Sequence, residues 1–317
     1  MRLLSFVLTL LCLACYTNRI TISVLQPSSV VLPKEIKKIT IYPKPGYTPV
    51  KNRLDSLNEI QISAKTDVAQ IKTGYLDGIY NVMSESPKFT KVVLNCTSYG
   101  LYMKDSVLFW DDLRKICTQD TTEYILLLQG STVYDTELER ESNTTYYGVY
   151  KMINLTKWAF LQPFIESIAL RFTETDSLRL DGVFGGFGDT EYHLYRNCYT
   201  SGYLTGMKIC PYWKDTLRTY FDGPGSDMKH ASRLIKRNNW RAASLIWNDL
   251  SDGPNHSLAS KAAFNMALAW EHGDDLDQAL QWIDYADSLG NNKRIKIYRD
   301  ILEKRLETKK LLDKQLP

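Results

Sequence analysis

The first half of the chain alternates between strand-like and helix-like patterns of apolar positions. Four short segments are apolar or alternate as strands do: 20–24, 39–42, 91–94 and 124–128. Between them, apolar residues at a 3.6-residue spacing predict helices over 73–84 and 110–117. The uninterrupted apolar run 124–128 indicates a buried central strand. This order of elements predicts an α/β domain with right-handed crossovers.

After residue 131 the pattern changes to that of a β-meander, so the domain is either α/β or α+β. Strands are predicted for alternating, β-branched or aromatic segments: 146–153, 158–163, 167–173 and 177–184. The segments 191–209 and 212–221 are predicted as helices, separated by Pro211.

The last third of the chain has helical periodicity, interrupted by glycine-marked turns. Trp240 and Leu276 are separated by the same number of positions as Ala243 and Ala279, close to the tetratricopeptide period of about 34 residues. The segment 265–286 resembles one tetratricopeptide unit, in which small residues let two helices approach. The predicted packing positions of this array are Trp240, Ala243, Trp247, Ala267, Trp270, Leu276, Ala279, Ile283 and Ala286.

The N-terminus has the pattern of an export signal. A positive start, Met1-Arg2, precedes the uncharged apolar stretch 3–14, which is too short to span a bilayer stably. Its end at Cys15 resembles the lipobox of bacterial lipoproteins, which implies acylation of the Cys15 sulfur. A cleaved secreted protein and a retained anchor are the alternatives. The absence of acidic residues just after Cys15 favours a periplasm-facing protein.

The sequence therefore predicts three regions. They are a signal peptide over 1–14, an α/β lipoprotein domain over 15–225 and a tetratricopeptide-like helical domain over 226–317.

Composition excludes several classes of protein. Hydrophobic residues make up 44% and charged residues 24% of the 317 residues, so the chain is globular rather than disordered. With 39 Lys and Arg against 36 Asp and Glu, no nucleic-acid partner is expected. Four cysteines follow Cys15, and they allow three disulfide pairings or four buried thiols, of which the thiols are favoured: Cys96, Cys117, Cys198 and Cys210.

No catalytic motif is present in the sequence. The acidic pairs Asp111-Asp112 and Asp274-Asp275 stand at predicted helix starts, which favours a capping role over glycoside chemistry. The glycine-rich segment 185–188 lacks the lysine of a phosphate-binding loop and is predicted to be a tight turn. No enzyme activity, cofactor or metal site is therefore predicted.

Three stretches carry a family resemblance: 211–221, 228–231 and 239–247. They are similar to an uncharacterised family of Bacteroides-type lipoproteins, a domain of unknown function that continues into tetratricopeptide-like helices. The resemblance implies an envelope lipoprotein and supplies no catalytic residues.

The expected function is that of a lipid-anchored, non-catalytic scaffold in the bacterial cell envelope, on the periplasm-facing side of the outer membrane. Its expected partner is another envelope protein or peptide, bound through the helical domain. The membrane is expected to be contacted by the lipid anchor only. A glycan-binding or glycan-processing accessory lipoprotein is the alternative.

Overall fold

The computed structural model describes residues 17–44, 50–55, 58–61, 65–95, 109–138, 147–183, 190–290 and 292–317. The strands are β1 (Thr17–Gln26), β2 (Lys38–Pro43), β3 (Val50–Asp55), β4 (Asn58–Gln61), β5 (Lys91–Leu94), β6 (Tyr124–Leu138), β7 (Tyr147–Gln162), β8 (Ser167–Val183) and β9 (Tyr212–Phe221). The helices are α1 (Lys65–Glu85), α2 (Trp110–Asp120), α3 (Thr190–Ile209), α4 (Ser226–Ile235), α5 (Trp240–Ser251), α6 (His256–His272), α7 (Leu276–Leu289) and α8 (Lys293–Gln315). The predicted fold class, an α/β region followed by a helical array, is confirmed.

The chain divides into two compact units that are discontinuous in sequence. The sheet unit comprises Pro27–Tyr212 with Asp313–Pro317, and the helical unit comprises Met1–Gln26 with Trp213–Leu312. This division differs from the predicted boundary at residue 225, because β1 pairs with β9 and not with the larger sheet.

Strand β6 organises the sheet unit. Its first residues pair in parallel with β2, and residues further along pair in parallel with β3. Because β7 runs antiparallel along β6 over nearly its full length, β2 and β3 follow one another along the opposite edge of β6. β5 lies beyond β2, β4 lies beyond β3, and β8 lies beyond β7.

Helices cover both faces of this sheet. Ile39 and Ile41 of β2 share a core with α1 and α3, whereas Tyr42 shares a core with α2. This alternation follows from the pleat, which sends neighbouring side chains to opposite faces. The predicted central strand is confirmed, since Ile125 to Leu128 of β6 are all fully buried.

Helices α1 and α3 approach each other through glycines. A Cβ atom on Gly78 would lie 2.1 Å from the carbonyl oxygen of Tyr199, and one on Gly202 would lie 2.2 Å from that of Tyr75. Four glycines, spaced four residues apart within each helix, share this role: Gly74, Gly78, Gly202 and Gly206. The close approach of the two backbones therefore depends on the absence of side chains there.

Two sequence-based assignments are wrong. Residues 212–221 form β9 and not a helix, because the paired strand β1 supplies hydrogen-bond partners from the far end of the chain. The predicted meander consists of longer strands than expected, since β7 and β8 each run unbroken through two of the predicted segments. Both strands continue because they pair with each other over their whole length.

The cysteines in the described part of the chain are thiols. Cys117, Cys198 and Cys210 are buried thiols in no disulfide, which agrees with the favoured alternative for these three. Burial raises the pKa of Cys117 to about 11 and that of Cys210 to about 12. Both groups are therefore protonated at neutral pH and poor nucleophiles. Cys96 lies outside the described residues.

Among the described residues, no helix has the length and apolar character needed to cross a bilayer.

Candidate partner-binding surface of the helical unit

Side-chain caps determine where the central helices of the helical unit begin. Asn239, Asn255 and Asp275 each accept a hydrogen bond from the backbone N–H three residues later, at 3.2, 3.1 and 3.0 Å. Such N-caps satisfy backbone donors that a helix leaves unpaired in its first turn. They begin α5, α6 and α7, so the chain folds into successive helices joined by short turns.

Most of the predicted packing positions lie inside the core of this unit: Ala243, Trp247, Ala267, Leu276, Ala279, Ile283 and Ala286. Trp240 packs partly against that core, and its ring stacks on the His272 imidazole with centroids 4.2 Å apart. Trp270 differs from the expectation, with 37% of its surface exposed. Near the C-terminal end of α6, Ala267 and Glu271 occupy the inward-facing positions of the helix, so Trp270 faces outward.

The inner side of α6 is occupied by the chain's own strand β9. The Phe221 N–H donates to Oδ1 of Asn265 at 2.9 Å, and Nδ2 of Asn265 donates to the Phe221 carbonyl at 2.7 Å. The Phe221 ring meets the Phe264 ring edge-on, with centroids 5.1 Å apart. The Tyr298 ring of α8 lies 4.8 Å from the Phe264 ring. This side of α6 is therefore closed to an external partner.

Glu271 is the centre of a buried ion cluster in the helical unit. Arg218 of β9 donates to both carboxylate oxygens, from Nη2 to Oε1 at 2.8 Å and from Nε to Oε2 at 2.9 Å. Nη1 of Arg305 donates to Oε1 at 3.0 Å, and the Tyr298 hydroxyl donates to Oε2 at 2.5 Å. The cluster therefore joins β9, α6 and α8 through one carboxylate.

The charge state of Glu271 follows from this environment. Burial alone would raise the pKa of its carboxyl group, but the cationic and hydroxyl donors, Arg218 first among them, lower it below the ordinary value. Burial, together with the nearby carboxylate, holds the pKa of Tyr298 well above its usual range. Both groups keep one protonation state at neutral pH, so the cluster is suited to holding elements together and not to transferring protons.

Large apolar side chains are exposed on α5 and α7. Leu245 of α5 is 64% exposed and Tyr285 of α7 is 38% exposed. The Tyr285 hydroxyl donates to the Ser251 carbonyl at 3.2 Å, which joins α7 to the C-terminal end of α5. Trp282, partly buried, meets the Tyr285 ring edge-on at 6.0 Å. We call Leu245, Trp282 and Tyr285 the outer row.

The acidic pairs noted in the sequence are held in local contacts. Asp275 caps α7, while Asp274 accepts from Arg305 at 2.8 Å and from Lys309 at 3.2 Å. Asp111 and Asp112 lie in the first turn of α2, where they pair with cations one turn later. Within the described ranges, no group of three His, Cys, Asp or Glu side chains is placed to hold a metal ion.

Several predicted features lie outside the described residues. These are the lipidation site Cys15 and the glycine-rich segment 185–188. Asn265 and Glu271 are functional positions of the helical unit that were not predicted from the sequence. A signal for both was present, since polar residues stood at inward-facing positions of a helix otherwise rich in alanine.

A family model, described as a domain of unknown function (DUF6340), matches residues 229–306. The match spans α5 to α7 with parts of α4 and α8, and thus lies wholly in the helical unit. No curated protein matches the chain.

Solved structures share low similarity with the chain. A neuraminyllactose-binding hemagglutinin homolog from Helicobacter pylori is 9% identical with a TM-score of 0.31, over 58% of this chain and 86% of that one. The PelC dodecamer from Paraburkholderia phytofirmans is 7% identical with a TM-score of 0.27, over 61% and 98%. A Xanthomonas campestris protein of the DUF330 family is 8% identical with a TM-score of 0.29, over 57% and 88%. Scores this low do not indicate a shared function.

Proposed function

We propose that the chain is a lipid-anchored protein of the bacterial cell envelope, on the periplasm-facing side of the outer membrane. Its helical unit binds another envelope protein and catalyses no reaction. The proposal includes the finer resemblance to Bacteroides-type lipoproteins with tetratricopeptide-like helices. Support for the helical resemblance comes from the capped helix starts and from Ala267 and Ala279, fully buried on α6 and α7.

The outer row is the observation that carries the proposal. Large exposed apolar side chains are candidates for protein contacts, and two of these three, Trp282 and Tyr285, lie against each other on α7. Tyr285 is held in place by its bond to Ser251, so little conformational freedom is lost when a partner covers it. The inner side of α6 is filled by β9 and is therefore closed to a partner.

Replacement of Leu245 tests this surface. We expect Leu245→Asp to weaken partner binding at least tenfold, because a charge in a desolvated interface centre is costly. The measurement is crosslinking of the full chain in intact cells, followed by isolation of the protein joined to it. Ile297→Asp is the matched control, since Ile297 is 49% exposed on α8 of the same unit. Equal crosslinking by both variants and the unmodified chain would remove the outer row as the binding site.

The anchor has a separate test. We expect Cys15→Ser to abolish incorporation of labelled palmitate and to move the protein out of the membrane fraction or leave it unprocessed, because the acyl chains require that sulfur. Label that persists in the variant would contradict the anchor and leave the scaffold proposal standing on the crosslinking result.

A glycan ligand is the second candidate, and a row of tyrosines on α3 favours it. The rings of Tyr195, Tyr199 and Tyr203 follow one another at centroid distances of 6.1 and 6.4 Å. Asp77 accepts from the Tyr195 hydroxyl at 2.9 Å, which adds a polar group beside the rings. Binding of an envelope polysaccharide that is lost in Tyr195→Ala and Tyr199→Ala would support this alternative.

A further inference from the structure

The turn between β7 and β8 in the sheet unit, together with the start of β8, exposes three large apolar side chains. Phe164 is 53% exposed, Ile165 is 68% and Ile168 is 41%. We call these residues the apolar tip. The proposed protein-binding surface lies in the other unit, so the apolar tip needs its own explanation.

Arg114 of α2 holds this turn in place. Its Nη1 donates to the Pro163 carbonyl at 3.2 Å and to Oε1 of Glu166 at 2.8 Å. The contact presents the apolar side chains on a fixed backbone, and it also places a cation directly on the carboxylate of the turn. Arg114 also pairs with Asp111, so its charge is shared between two carboxylates, and Glu166 opposes an anionic surface less than an unpaired carboxylate would.

Two cations lie behind the apolar tip on the same face of the sheet. Arg171 of β8 is exposed and stands opposite Ala159, while Lys157 of β7 is exposed two residues before Ala159. Ala159 belongs to the core on the α2 side, which assigns both cations to that face by the alternation of the strand. Within the described ranges neither cation is in an ion pair.

We propose that the apolar tip inserts into the surface of an anionic lipid bilayer, with Arg171 and Lys157 at the headgroup level. Apolar groups ahead of cations form the arrangement of interfacial membrane contacts, in which long basic side chains reach the headgroups while apolar ones enter the acyl boundary. The order of these groups favours lipid over protein, because a protein interface needs no such gradient. This contact adds to any lipid anchor, in contrast to the expectation that the anchor alone meets the membrane.

Photocrosslinking to lipid tests the contact. The full chain is reconstituted in vesicles of phosphatidylcholine, with or without phosphatidylglycerol, that contain a photoactivatable phospholipid. We expect lipid adducts in the unmodified chain to concentrate on the peptide that contains residues 162–168, and to be several-fold more abundant with phosphatidylglycerol. The double variant Phe164→Ser, Ile165→Ser is expected to lose at least nine-tenths of these adducts.

Val31→Ser is the matched control, because Val31 is 65% exposed in the same unit, and it should leave the adducts on 162–168 unchanged. Lys157→Gln with Arg171→Gln should remove the dependence on phosphatidylglycerol. Adducts spread evenly over the chain, or indifferent to phosphatidylglycerol, would overturn the proposal. Protection of the apolar tip by a crosslinked protein in cells would likewise overturn it, in favour of a protein partner. The adduct pattern of the unmodified chain decides the question even if a variant fails to fold.

Discussion

At the scale of single residues, the helical unit depends on a balance of buried charges around Glu271. Removing a carboxylate from water is costly, and it is offset here because Arg218, Arg305 and Tyr298 all direct donors at it. Truncation of Glu271 would leave the buried Arg218 guanidinium without its counter-ion and Arg305 with Asp274 alone. One substitution therefore loosens β9, α6 and α8 together.

We predict that Glu271→Ala lowers the free energy of unfolding of the helical unit by about 3–5 kcal/mol. Chemical denaturation monitored by circular dichroism measures the loss. Asp284→Ala is the control, since Asp284 forms its 2.6 Å ion pair with Arg299 in a largely exposed position, and such pairs contribute about 0–1 kcal/mol. A similar loss in both variants would show that the Glu271 cluster contributes no more to the free energy of unfolding than an exposed ion pair does.

The same residue predicts a pH dependence. The folded pKa of Glu271 lies below its ordinary value of 4.5. Its stabilising contribution is therefore complete above 4.5 and is lost as the pH falls through the folded pKa. Glu271→Gln should remove this dependence, so the two chains should differ most in denaturation midpoint at neutral pH and converge in acid. A difference that stays constant with pH would contradict the prediction.

At the scale of elements, α1 and α3 pack with their backbones in close approach. Packing of this kind needs glycine at the crossing, and it makes the pair sensitive to a single added methyl group. The apolar pattern of neither helix predicts this close approach. Periodicity identifies which face of a helix is buried, but not how near the backbone of the partner helix lies.

We predict that Gly78→Ala destabilises the sheet unit, because its Cβ would lie 2.1 Å from the Tyr199 carbonyl oxygen. Overpacking typically costs about 1–3 kcal/mol and here competes with a gain in helix propensity of roughly 1 kcal/mol. Thermal unfolding measures the net loss. In Gly130→Ala of β6 the new Cβ has nothing within 4 Å, and its melting temperature should change little. Equal melting temperatures for the two variants would mean that α1 and α3 can separate without cost.

Element β9 shows why part of the fold could not be predicted from sequence. Trp213, Leu217 and Phe221 recur at helical spacing, whereas Arg218 and Tyr220, the buried residues of its inner face, alternate as in a strand. Both patterns fit the same ten residues. The choice is made by β1, which is remote in sequence, and by the Asn265 amide that binds the Phe221 backbone. By contrast, the strand at 124–128 was predictable, because a strand buried on both faces has an uninterrupted run of apolar residues.

The candidate site, like the fold, could be predicted only in part from the sequence. Small and aliphatic packing positions such as Ala267 and Ala279 follow from spacing within two neighbouring helices. The outer row could not be assigned in advance, since exposure of Leu245 and Tyr285 depends on which neighbours cover α5 and α7. The prediction that Trp270 is a packing position was wrong for the same reason. Glu271 and its partner Arg218, which is distant in sequence, occupy the inward-facing side of α6.

At the scale of the whole molecule, neither unit is a continuous stretch of chain. The helical unit needs β1 from before the sheet unit and β9 from the end of it. A cut at residue 225, where the sequence pattern changes, would separate Arg218 from Glu271 and Phe221 from Asn265.

We predict that residues 226–317 alone do not fold to a stable state, because Glu271 would lose Arg218, and Asn265 and Phe264 would lose Phe221. Residues 17–26 joined by a flexible linker to 213–312 should unfold cooperatively, since they contain the complete unit. Circular dichroism during thermal unfolding distinguishes the two. A cooperative transition of similar midpoint in the 226–317 fragment would show that the β strands are dispensable.

The Val30 N–H donates to the Lys208 carbonyl at 2.9 Å, within the sheet unit. This bond has a consequence for the order of folding. Before the sheet unit forms, closing β1 onto β9 means closing a loop of nearly two hundred residues, with a corresponding loss of chain entropy. Once it has formed, residues 30 and 208 are held together, and only a short length of chain remains between each of them and its strand. Strand β1 is therefore synthesised first but stays unpaired until the sheet unit has been made. Assembly of the helical unit becomes fast only after the sheet unit has folded.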